Sequence, residues 1–248
     1  MGSGGVDLPT LMNYLEEAIG DFPDSRTGSN SRYAMRTVAL AAFSVFFTQS
    51  PSVLAHQRSM QLSKGKSNAS TIFGVNEIPT DNHIRSLLDP VYVSLVQPVF
   101  KRVFNELHER KALKALRCFD ETLLVALDGV WFHNSESVHC HQCNTQSHRD
   151  GRTTYYHSAV TPVIVSPGNT RVISLEPQFI EPQDGQTKQD CENAAGKRWL
   201  RGAGLSYVQH GVTILGDDLY CNQPMCELLL EHDYNFILSS SPRSNTLG

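Results

Sequence analysis

The chain has 248 residues, 40% hydrophobic and 19% charged, which is the composition of a soluble globular protein long enough for one large domain or two modest ones. Its longest apolar stretch, Thr37 to Phe47, is too short to cross a bilayer, and MGSGGVDLPT lacks the basic start and apolar run of a secretory signal, so a cytoplasmic protein off the membrane is expected. A net charge of only −4 does not advertise nucleic-acid binding.

In chain order, LPTLMNYLEEAIGDF places Leu11, Tyr14, Leu15, Ala18 and Ile19 at helical spacing and ends at the polar breaker PDSRTGSNSR. YAMRTVALAAFSVFFTQ reads as a largely buried helix, and after Pro51 SVLAHQRSMQL reads as an amphipathic one leading into the basic loop SKGKSNAS. TDNHIRSLLD continues the helical spacing up to Pro90, and SLVQPVFKRVFNELHERKALKALRCF supplies one or two further helices. The first domain, residues 1–118, is therefore expected to be helical, for DNA binding or dimerisation. Arg26, Arg32, Arg36, Arg58, Lys64 and Lys66 are its candidates for phosphate contacts, against the plainer reading of solvated surface charge.

Beyond residue 118 the pattern changes to short runs rich in β-branched residues: Leu123–Leu127, Tyr155–Val165, Arg171–Leu175, Val212–Leu215 and Tyr234–Leu238. SPGN at 166–169 is a hairpin turn between the second and third. A helix with a capping-box start at Thr187 and Asp190 separates the third and fourth, and NQPMCELLLEH separates the fourth and fifth. A crossover of this kind lays parallel strands in one sheet. The charge balance changes as well, from 13 Lys+Arg against 10 Asp+Glu in residues 1–118 to 8 against 15 in residues 119–248.

Two of the apolar runs end in acids. TLLVALDGVWF is interrupted by Asp128, and VTILGDDLY presents Asp217 and Asp218 after a glycine. Acids in such places commonly cap helices or start turns. Two buried strands that both end in carboxylates, if adjacent, bring hard oxygen ligands to one point of a sheet, as Mg²⁺ or Mn²⁺ requires.

A second constellation is HNSESVHCHQCNTQSH, a Cys/His-rich insertion at 133–153. Cys140, Cys143 and His148 match three ligands of a zinc knuckle, but its fourth position, residue 153, is threonine. His139 is the first substitute, with His133, His141, His157 and Cys191 also available. The alternative is free thiols in a polar loop. Cys118, Cys221 and Cys226 read as small core residues.

Taken together, FSVFFTQSPS, FGVNEIPTDNHIRSLLDPV, LLVALDG, TTYYHSAVTPVIV, EPQDGQTKQDCENAAGKRWL, GVTILGDDLYCNQP and FIL resemble the DDE transposases of bacterial insertion sequences. The resemblance implies an α+β or α/β fold, with the helical domain followed by a ribonuclease H-like mixed five-stranded sheet and its flanking helices in residues 119–248. It implies metal-dependent hydrolysis and strand transfer at transposon ends, DNA as partner, and a homodimer or higher oligomer. It also makes Asp128 and one acid of the Gly-Asp-Asp step members of a metal-binding triad. The family pattern of an Asp three residues before an aromatic points to Asp217 through Tyr220, with Asp218 close behind. The triad's glutamate is expected on a helix well after Leu238, where ten residues remain, so a sheet lacking the final helix is expected. Glu227 and Glu231 read as solvated helix charges. A truncated, inactive DNA-binding or oligomerisation remnant, and a ribonuclease H-like nuclease without strand transfer, are the competing readings.

Overall fold

The computed structural model describes residues 5–27, 32–63, 66–182 and 191–240. The chain divides into two compact units, one of Val6–Arg102 and one of the residues from Val103 onward together with Gly5. The boundary thus lies earlier than 118/119, because the side chains of Phe104, Leu107, Leu113 and Leu116 are packed into the core of the second unit.

The first unit is helical, as its sequence spacing predicts. Helix α1 (Leu8–Gly20) starts where the Asp7 side chain accepts the Thr10 N–H at 2.9 Å, with a proline in its first turn. Helix α2 (Met35–Phe47) buries Val38, Leu40, Ala41 and Val45, and α3 (Val53–Ser63) buries His56 and Met60. A short helix that sequence reading left mostly to a loop, α4 (Asn68–Phe73), is capped by Ser67 and stopped by left-handed Gly74. Helix α5 (Asp81–Leu88) adds Ile84 and Leu87 to the same core. The buried His56 ring is held between the hydroxyls of Ser44 at 3.1 Å and Ser50 at 2.8 Å.

Helix α6 (Pro98–Glu109) leads into the second unit. A short strand β1 (Arg117–Cys118) turns back onto β2 (Thr122–Ala126) through Phe119, Asp120 and Glu121, all three in the left-handed region. The first expected strand then continues past Asp128 as β3 (Gly129–Ser135), and β4 (Asn144–Ser147) follows the Cys/His segment. The second expected strand is broken at Pro162 into β5 (Thr153–Val160) and β6 (Val163–Val165), because proline has no N–H for the ladder. The third is the short β7 (Ile173–Ser174), and an unexpected strand, β8 (Gln178–Ile180), follows after Pro177. The expected hairpin is present: Gly168 takes φ 74° and the Asn169 N–H reaches the Ser166 carbonyl at 3.1 Å.

Helices α7 (Glu192–Arg201) and α8 (Leu205–Val208) precede β9 (Val212–Gly216), and α9 (Gln223–Glu231), capped by Asn222, precedes β10 (Asn235–Leu238). The capping box expected at Thr187 and Asp190 lies outside the described residues. One sheet runs β10-β9-β2-β6-β7, with β1 on the start of β2. In it β9 is parallel to both β2 and β10, while β6 and β7 run antiparallel. In the second sheet β5 carries β3 on one edge and β4 and β8 on the other. A helical unit followed by mixed parallel and antiparallel sheets flanked by helices is an α+β arrangement, and in place of the expected single five-stranded sheet there are one of six strands and one of four.

The core of this unit lies where Leu123 and Val125 of β2 and Ile214 of β9 meet Trp199 and Leu200 of α7 and Leu228 and Leu229 of α9. Each fully buried aliphatic side chain of this kind contributes about 1.5–3 kcal/mol. No described helix is long and apolar enough to cross a membrane.

Two outcomes follow. Glu121 pays a left-handed cost that glycine avoids, so Glu121→Gly should raise the unfolding free energy by about 0.5–1 kcal/mol in urea denaturation. Burial pushes His56 below its ordinary value of 6.5, so the folded state favours the neutral ring. Stability contributed by His56 is complete above pH 6.5 and declines as the pH falls below it toward the depressed folded value. His56→Gln should flatten that part of the stability profile.

Candidate functional site

Asp128 and the Gly-Asp-Asp step are brought together by strand register. β2 and β9 pair in parallel with Ala126 opposite Leu215, and the Leu127 N–H donates to the Leu215 carbonyl at 2.9 Å. Asp128 and Asp217 each lie two residues beyond that last pair, so they leave the sheet at the same level of neighbouring strands, roughly 4.8 Å apart in backbone spacing. Both are exposed, as is Asp218.

Each backbone is locally fixed. The Asp128 carbonyl accepts the Thr161 N–H at 2.9 Å and its hydroxyl at 3.3 Å, at the break between β5 and β6. An Asp217 carboxylate oxygen accepts the Leu219 N–H at 3.0 Å, closing a turn that directs Tyr220 inward to 1% exposure.

A third carboxylate, which the sequence reading did not single out, joins them. Glu192 opens α7, and its Oε2 lies 2.1 Å from the position a Cβ on Gly129 would occupy. Glycine after Asp128 is therefore needed for close approach. Burial pushes the Glu192 carboxyl above the usual carboxylate range, and the charges of Asp128 and Asp217 push it further up. The Tyr220 hydroxyl and the Gly129 N–H pull the other way. Asp217, and not Asp218, is the acid of the Gly-Asp-Asp step that acts on Glu192 and Tyr220. The only signal for Glu192 in the sequence was an acid opening the helix in DCENAAGKRWL. Nothing in that pattern says which strand end the helix start faces. Glu227 and Glu231 are exposed residues of α9, as solvated helix charges would be.

The Cys/His segment builds a second cluster. The ligand atoms of Cys140, Cys143 and His157 all lie within 4.8 Å of one another. The His157 Nε2 is 3.3 Å from each sulfur, and the sulfurs are 3.8 Å apart. The Cys140 N–H points at the Cys143 sulfur at 3.3 Å, as in a metal-binding turn. Burial and the neighbouring His133 hold His157 below its usual range, which favours the neutral imidazole that binds metal. The cluster could hold a metal ion.

His148 is replaced in this set by His157 for a reason of register. β4 pairs with β5 so that Asn144 faces Tyr156, and one step further along Cys143 faces His157. His148 lies five residues along an extended strand from Cys143, about 16 Å away, and its Nε2 instead meets the Thr154 hydroxyl at 2.7 Å. His139 stacks on Tyr155 with ring centroids 4.2 Å apart. Cys191 is the N-cap residue of α7 and is not part of the set. Among the described residues this is the one group of three or more Cys, His, Asp or Glu whose ligand atoms meet within 4.8 Å, so the three carboxylates stand farther apart than that.

The basic candidates of the first unit divide. Arg32 pairs with Glu77 at 2.9 Å, Arg36 grips both oxygens of Glu16 at 2.6 and 3.1 Å, and Arg26 pairs with Asp24. Arg58 and Lys66 are exposed, and Lys64 lies outside the described residues. A cavity of about 690 Å³, lined by Arg110, Lys111 and Arg171 among others, lies by the β6–β7 hairpin, at the end of the sheet away from Asp128.

The fold and site together define an α+β domain with acids at the carboxyl ends of two adjacent parallel strands. Comparison of the chain with protein-family models, curated proteins and solved structures finds no match.

His157→Ala should abolish the visible d–d absorption of tetrahedral Co²⁺ added to the chain, and His148→Ala should leave it intact.

Proposed function

We propose that the chain is a DNA transposase of the DDE type, using Asp128 and Asp217 to hold Mg²⁺ or Mn²⁺ and acting on phosphodiester bonds at the ends of a mobile element. The observation that carries this reading is the parallel register of β2 and β9, which delivers the two acids to one level of the sheet edge. The donor set fits a hard cation: carboxylate oxygens, exposed to solvent, beside a third carboxyl whose ionisation its neighbours oppose and a cation would favour. When bound there, such a cation would make an attacking oxygen more nucleophilic and offset charge on the leaving one.

The chain's own residues position and orient. The Leu219 N–H fixes one Asp217 oxygen, Thr161 fixes the Asp128 backbone, and both acids are open to the solvent from which a phosphate would approach. In hydrolysis a water oxygen bonds to phosphorus and the bond from phosphorus to the 3′-oxygen breaks; the water proton passes to solvent or a carboxylate, and the 3′-oxygen leaves as a hydroxyl. In strand transfer that hydroxyl takes the place of water at a target phosphodiester, freeing a target 3′-hydroxyl. DNA, as element ends and target, is the partner, and a homodimer or larger assembly would hold two ends together. Exposed Arg58 and Lys66 are the first-unit cations best placed for its phosphates, since Arg32 and Arg36 already face carboxylates.

The metal for the Cys140, Cys143 and His157 set is Zn²⁺. Two thiolates and a neutral imidazole are the soft donors it prefers, and its role would be to pin the Cys/His segment to β5.

The deciding experiment incubates the chain with labelled DNA carrying the flanking element ends, in Mg²⁺ or Mn²⁺. Nicking and joining are expected, and Asp128→Ala should lower both by at least about a thousandfold, the scale of losing an essential metal-binding carboxylate. Cutting without joining would identify a nuclease instead. DNA bound but never cut would identify a binding remnant.

A further inference from the structure

We infer that Glu192 is a third carboxylate of the cation site, arriving from the helix before β9. The inference rests on the reading of Asp128 and Asp217 given above. Its first support is geometric. Glu192 lies over Gly129, the residue next to Asp128, so closely that its Oε2 takes the space of a side chain there.

The second support is independent. Tyr220 is 1% exposed, and its buried hydroxyl lies beside the Glu192 carboxyl without a well-formed hydrogen bond to it or to any other protein group. It faces Glu192, with Asp217 and Asp128 also acting on it. A buried hydroxyl left in this state suits a site where a further group completes the network, such as a cation-bound water between the tyrosine and the carboxylates. The tyrosine is set there by the same turn that fixes Asp217. Gly196 in α7 and Gly216 at the end of β9 both lie against its ring and Cβ, with added Cβ atoms 2.7 and 2.8 Å away. Helix α7, β9 and the strand end at Asp128 are thereby locked around one point, and each contributes a carboxylate: Glu192, Asp217 and Asp128.

Glu192 reaches that point from the amino-terminal end of a ten-residue helix, where the dipole favours an anion and orients it toward β2. A cation bridging the three carboxylates would draw them closer than they stand without one. Asp218 is not among the groups that act on Glu192 or Tyr220.

The test is Mn²⁺ binding to the full chain without DNA, read from the electron paramagnetic resonance of free Mn²⁺, with thermal melting run in parallel. Glu192→Gln should weaken binding by about tenfold or more, and Glu227→Gln should leave it unchanged. Gly129→Ala is the second variant. It removes no charge, and its methyl displaces only the far end of a flexible side chain, so it should keep the melting temperature while weakening Mn²⁺ as Glu192→Gln does. If both variants bind Mn²⁺ like the wild type while Asp128→Asn loses it, Glu192 is not a ligand and the two-aspartate reading survives. If Glu192→Gln fails to fold, Gly129→Ala decides. A wild-type chain that binds no Mn²⁺ overturns this inference together with the cation-site reading on which it rests.

Discussion

The parallel pairing of β2 with β9 is the constraint on which the second unit depends. These strands are buried because α7 and α9 cover the sheet, and they are adjacent because a crossover through α7 and α8 returns the chain beside its first long strand. Once that register is set, the acids after each strand have no independent choice of position. A slip of one residue would turn β9 over, setting Thr213 where Ile214 packs and carrying Asp217 off the level of Asp128. The apolar packing therefore specifies the polar site, and the site's precision comes from the core.

Breaks in regular pairing serve the same end. Asp128 sits between β2 and β3, and the matching break at Thr161 and Pro162 supplies the two donors that hold its carbonyl. Past that break the second sheet carries β4 and β5 in their own register, which places Cys143 opposite His157. Two clusters of different chemistry thus grow from one pair of strands. Carboxylates suited to hard cations lie at the break, and thiolates with an imidazole suited to soft ones lie further along β5.

Much of the architecture was legible because its signals are local. The helical spacing of Leu11, Tyr14, Leu15, Ala18 and Ile19, the apolar run of α2, and the apolar runs of β2 and β9 each mark their element without help from the rest of the chain. Strands β3, β4 and β8 were not legible, because their exposed or polar residues follow no buried pattern; Trp131 and Phe132 are about half exposed on β3. The domain boundary was displaced for a related reason. Leu113 and Leu116 continue the helical composition of the first unit while their side chains are buried in the second.

By itself the sequence determined which residues could serve: the acids that end two apolar runs, and the cysteines and histidines crowded between the first two long strands. Their identities are chemical facts that folding does not alter. Tertiary structure alone decided which of them meet. It set Asp217, of the two consecutive acids, where it acts on Glu192 and Tyr220. It chose His157 over His148, since an extended strand carries the second away from Cys143. It also brought in Glu192, whose closeness to Asp128 depends on a helix crossing the sheet above Gly129. Contacts between residues more than sixty positions apart are set by how elements pack, and no local pattern records them.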